Sequence, residues 1–213
     1  MVECPQLDDC RQPFPPLNLP ARPAPMIRNT HALGRTTQLD TPDGALNRAF
    51  AGAARSAGDS VRAEEGGGFP DWDASDLAHL RAEARAFDRV GPQALPDPGE
   101  FLRDIVSGLF GAAADLAGGR FALTPWLVEG WRRMALRRLR LHRTLVDVEV
   151  RSRADWATIR LEVTFGPPVP LALSVRNGGP VSRVTVDEVV LLREPVVFTL
   201  SGEHEAMFFF SGR

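Results

Sequence analysis

The chain contains no lysine and no tyrosine in 213 residues, although arginine occurs 25 times. Without a titratable or point-charge ammonium it has no Schiff-base nucleophile, no P-loop lysine and no kinase-type lysine, and guanidinium cannot replace any of these. Codon usage in a GC-rich genome favours Arg, Ala, Gly and Pro together, so the bias removes chemistries without selecting one. Cys4 and Cys10 are the only cysteines, and two such ligands are too few for structural zinc. No apolar run reaches the ~20 residues of a membrane span. Glu3, Asp8 and Asp9 interrupt the segment where the apolar part of a signal peptide would run, so the sequence predicts a cytoplasmic or otherwise intracellular setting.

Catalytic motifs are missing as well. There is no His-Glu-x-x-His, Gly-x-Ser-x-Gly or Gly-x-Gly-x-x-Gly. The histidines, His31, His79, His142 and His204, stand apart from one another. His204 lies between Glu203 and Glu205, where two carboxylates would favour a base or a metal, but the surrounding residues read as a solvated hairpin turn. Asp71, Asp73, Ser75 and Asp76 resemble the start of a calcium loop, yet Asp76 and Ala82 occupy the positions that need Gly and Glu. Asp187 and Glu188 read as neighbours in one strand and would face opposite sides. The sequence therefore predicts no catalytic residues, no metal and no cofactor, and a protein that is not an enzyme.

What is present is organised by charge. Residues 1–119 carry 11 arginines against 17 acids, residues 120–143 carry 7 against Glu129 alone, and residues 144–213 carry 7 against 9. A compact basic segment inside an acidic chain reads as a docking element or as a partner for the acidic half.

Residues 1–70 are rich in Pro and Gly and read as an extended, largely disordered arm holding at most one short helix near 43–57. Gly66, Gly67 and Gly68 form a joint. Residues 71–96 read as a helix capped by acids, followed by a linker. Residues 97–213 read as an α+β domain. Its first helix starts at Asp97-Pro98-Gly99-Glu100 and runs to about Gly118. A second, from Pro125 to about Arg143, places Leu127, Val128, Trp131, Met134, Ala135, Leu139 and Leu141 on or near one stripe. Past His142 the apolar period falls from about 3.6 to 2. The expected fold is thus two layers, with N-terminal helices packed on an antiparallel meander of five or six strands.

The basic helix is the leading site. Arg132, Arg133, Arg137, Arg138 and Arg140 would project from it toward a partner. Phe208, Phe209 and Phe210 in the last strand must leave at least one ring off the core, which makes a second contact surface. The expected function is protein-protein interaction or assembly, with another protein or copies of itself as partner and the N-terminal arm ordering on binding. A net acidic chain without a broad basic footprint disfavours nucleic acid. The alternative is a domain that holds a lipid or other apolar small molecule between helices and sheet.

Overall fold

A computed structural model describes residues 37–57, 64–65, 72–95, 97–115, 119–191 and 194–211. The Pro-rich arm with both cysteines, and the glycine joint at 66–68, lie outside the described residues.

The fold is α+β, with its helices near the N-terminus and two sheets after them. Strand β1 (Gln38–Asp40) leads into helix α1 (Gly44–Ala57), whose first amides, of Ala45 and Leu46, donate to the Asp43 carboxylate at 3.1 and 3.3 Å. Leu46, Ala49, Phe50 and Ala53 recur at helical spacing and are buried, each large side chain contributing roughly 1.5–3 kcal/mol. After β2 (Glu64–Glu65), helix α2 (Ala74–Val90) starts from Asp73 in a capping box with Asp76 and buries Leu77, Leu80 and Ala84.

Helix α3 (Pro98–Arg103) begins at the expected Asp97 cap, continues into a π-helical turn over Asp104–Leu109, and then stops. It does not run to Gly118: Ala112–Asp115 is strand β3, paired with β4 (Arg120–Leu123). The reversal occurs at Gly111, with φ of +59°, where an added Cβ would stand 2.2 Å from the Thr124 carbonyl oxygen.

The predicted helix over 125–143 is not formed. Residues Arg133–Leu141 are strand β5, antiparallel to β6 (Thr144–Ser152). The register slips between Leu136 and Leu139, and Arg138 adopts a φ of +59° in the resulting bulge. Met134 and Leu136, then Leu139 and Leu141, are two period-2 pairs separated by one extra residue, and all four are buried. The insertion sets Met134 and Leu141 seven residues apart, which a helix would also place on one face.

The remaining strands are β7 (Trp156–Phe165), β8 (Val169–Leu173), β9 (Val181–Val186), β10 (Val189–Leu191), β11 (Val196–Leu200) and β12 (Glu203–Phe210). They divide between two sheets rather than forming one meander. The larger, wholly antiparallel sheet has the order β1-β5-β6-β7-β12-β9-β10, and the smaller has the order β11-β8-β4-β3-β2, with β8 parallel to β4 and β2 parallel to β3. One face of the larger sheet is apolar, with Leu136, Val148, Ile159, Ala206 and Val184 all buried. It shares a single core with α1–α3 and the smaller sheet. Phe198 of β11 meets His204 of β12 edge-on at 5.2 Å, so the two sheets touch there. Among the described residues no helix is long and apolar enough to cross a membrane.

Candidate interaction site

Opposite residues in an antiparallel ladder share a face, so the register defines the surface that the larger sheet turns away from the core. Its first half is an ion-pair lattice. Asp40, Arg133, Arg137, Asp147, Glu149 and Arg151 project from β1, β5 and β6 on this side. Glu149 is the hub, receiving Arg133 and Arg137 at 3.1 Å each and Arg151 at 2.7 Å, while Arg133 also reaches Asp40 at 2.5 Å and Arg137 reaches Asp147 at 3.2 Å. Hydrogen bonding from Arg133, supported by Arg151, holds the Glu149 carboxyl down at about 2.

Glu149→Gln is expected to cost about 2 kcal/mol at pH 7, as three guanidiniums then face a neutral amide. A depressed folded value stabilises only while the carboxylate is charged. The gap between wild type and variant should be complete above the ordinary glutamate value of ~4.3 and close as pH falls toward about 2. Urea melts of both proteins across that window check it.

The arginines read as one docking stripe are therefore dispersed. Arg133 and Arg137 are neutralised within the sheet. Arg138 sits in the bulge, with its amide donating to Asp147 Oδ1 at 2.8 Å. Arg140 lies beside Leu145 on the outer face, and the buried Nε of each of Arg138 and Arg140 has no hydrogen-bond partner. Arg132, just before β5, is exposed.

The phenylalanines separate in the same way. Phe208 is in the core. Phe209 is on the outer face opposite Trp156, with Arg183 over its ring at 4.0 Å. Phe210 follows a register shift and turns into a cleft.

That cleft, of about 590 Å³, brings Arg132 and Phe210 together. Leu127, Val128, Trp131 and Phe210 supply its apolar wall, with Glu129, Arg132, Arg153 and Asp155 around it. Gly178 allows the wall to close, because a Cβ there would stand 2.4 Å from the Phe210 ring.

Sequence reasoning missed two features. His204 is not in a solvated turn but is 1% exposed, with Nδ1 2.6 Å from Asp187 Oδ2 and Nε2 accepting from the Ser201 amide at 3.3 Å. Asp187 and Glu188 are not within a strand. They form the two-residue loop between β9 and β10 and both have positive φ, as a type I′ hairpin requires. The second feature is β10, which is the last strand of the larger sheet and exposes Val189 (45%) and Val190 (55%). Val190 shares the outer face with Thr185, Met207 and Thr158, extending an apolar strip toward Phe209 and Trp156.

Among the described residues no group of three or more His, Cys, Asp or Glu is placed to hold a metal ion. Asp76, His79, Glu83, Glu100 and Asp104 gather between α2 and α3, and burial raises the Glu83 and Asp104 carboxyls, with neighbouring carboxylates adding to it. The chain matches no protein-family model and no curated protein.

Proposed function

We propose that the chain is a non-enzymatic interaction module whose β10 edge takes up an extended strand of another polypeptide, either a partner protein or a second copy. The observation that carries this reading is the pair of exposed valines on an edge strand. An edge offers unpaired backbone N–H and C=O groups, which a second strand satisfies in register. Proteins that keep an edge free use charge, proline or a covering segment. The opposite edge follows that practice: β1 alternates Gln38 and Asp40 outward, and Asp40 is tied to Arg133. Strand β10 is Val-Val-Leu, and the outward side chains of an incoming strand would continue the row that ends at Val190.

This moves the docking surface away from the basic segment, since Arg133 and Arg137 already have carboxylate partners. The test is Val190→Lys, which puts a solvated charge on the edge and leaves the core untouched. Native mass spectrometry of the chain isolated gently from its own source should show wild type bound to further polypeptide mass and the variant at its own mass of 23.3 kDa. Equal association of the two proteins would contradict the reading.

A further inference from the structure

The cleft beside the β5–β6 end carries a second, independent site. We infer that it binds a small organic anion with an apolar body, the anionic group lying between Arg132 and Arg153 and the body against Trp131 and Phe210. The charge arrangement selects the class of ligand. The Ser152 amide donates to the Arg132 carbonyl at 3.2 Å, so Arg132 lies across from Ser152 where the ladder ends, and Arg153, the next residue, lines the same cleft. In the last pair of that ladder Arg133 stands opposite Arg151, and Glu149 bonds to both. Arg132 and Arg153 have no such acceptor, and neither is in an ion pair among the described residues.

A carboxylate, sulfonate or phosphate entering between them would supply what Glu149 supplies on the other face. Glu129 and Asp155 also line the cleft, and Arg81 lies over the Trp131 ring at 5.3 Å while paired to Asp43. These two acids oppose an anion and limit its affinity.

The apolar wall selects the rest of the ligand. Leu127, Val128 and Trp131 border the cleft and are themselves buried, so they form a packed apolar wall. A volume of about 590 Å³ falls within the ~300–1,000 Å³ range of small-molecule sites. The Asn177 side chain donates to the Leu127 carbonyl at 3.0 Å and the Ser152 hydroxyl to the Trp131 carbonyl at 2.8 Å, which fixes the wall in place and leaves that serine engaged. Among the described residues that line the cleft, Ser152 is the one hydroxyl, and the Trp131 carbonyl holds it.

Titration with 1-anilinonaphthalene-8-sulfonate, against its uncharged analogue N-phenyl-1-naphthylamine, separates the anion from the apolar body. The sulfonate should bind one to one and shift the amide resonances of Gly130 and Gly178. Arg132→Gln with Arg153→Gln should weaken the sulfonate about tenfold and change the neutral analogue by less than about twofold. Glu129→Gln with Asp155→Asn should tighten the sulfonate. Arg183→Gln, at the guanidinium over Phe209 on the outer face, is the control and should change neither. The inference is overturned if the double arginine variant binds the sulfonate as well as wild type, if Arg183→Gln weakens it equally, or if the shifted resonances lie away from the cleft.

Discussion

Alanine at Gly111 is expected to destabilise the fold by about 3 kcal/mol or more, among the largest single-residue effects available in this chain. Two penalties combine there. The backbone holds a φ of +59°, and the new Cβ would stand 2.2 Å from the Thr124 carbonyl oxygen and 2.7 Å from its carbon. These are backbone atoms and cannot rotate aside as a side chain would. The Thr124 amide donates back to the Gly111 carbonyl at 3.0 Å, so moving either segment also breaks the bond that turns α3 into β3. Urea unfolding of Gly111→Ala should show a lower midpoint with an unchanged slope. A variant as stable as wild type would mean that the turn after α3 is not the fixed junction described above.

Truncation of His204 should cost about 3 kcal/mol, since it leaves the Asp187 carboxylate facing a void. The ring is 1% exposed and packs edge-on against Phe198. With its proton on Nδ1 one tautomer meets both polar neighbours, donating to Asp187 and accepting from Ser201. Asp187 also bonds to Glu205 through its amide and its Oδ1, so the histidine braces the loop from which β10 emerges. His204→Ala should therefore loosen the β9–β10 hairpin before the rest of the sheet, seen as faster amide exchange at Val189–Leu191. His204→Gln, which keeps a donor near Asp187, should recover part of the loss. If alanine left both stability and hairpin exchange unchanged, the His204–Asp187 contact would have no structural role.

Where the sequence was readable, local physics and tertiary packing agreed. Asp73 and Asp97 cap helices as their positions suggest, and the alternation of Val146, Val148 and Val150 lies along one buried face of β6. The α+β order of helices before strands followed from the same change of period. The reading failed where one inserted residue changed the period. The bulge at Arg137 and Arg138 leaves Met134 and Leu141 seven residues apart, a spacing that a helix also satisfies, and Leu, Arg, Met and Ala all favour helix. Sheet pairing with β6 overrode that preference. The period-2 pairs on either side of the double arginine were the available signal.

Candidate sites were less legible, because the cleft draws residues from four separate stretches of the chain and the edge depends on strand order. Phe210 enters the cleft only through the register shift after Phe209, and β10 becomes an edge only because β11 joins the smaller sheet. Neither event leaves a local mark. The division of Phe208 to the core and Phe209 to the outer face, by contrast, follows directly from strand alternation.

The most direct test of the docking account is hydrogen exchange of the chain in its associated state and after dissociation, followed through the peptide that spans Asp187–Leu191. Uptake of a strand at β10 predicts slower exchange in that peptide on association, with the β1 segment Gln38–Asp40 unchanged. Unaltered exchange at β10, with protection appearing at β1 or elsewhere, would contradict it.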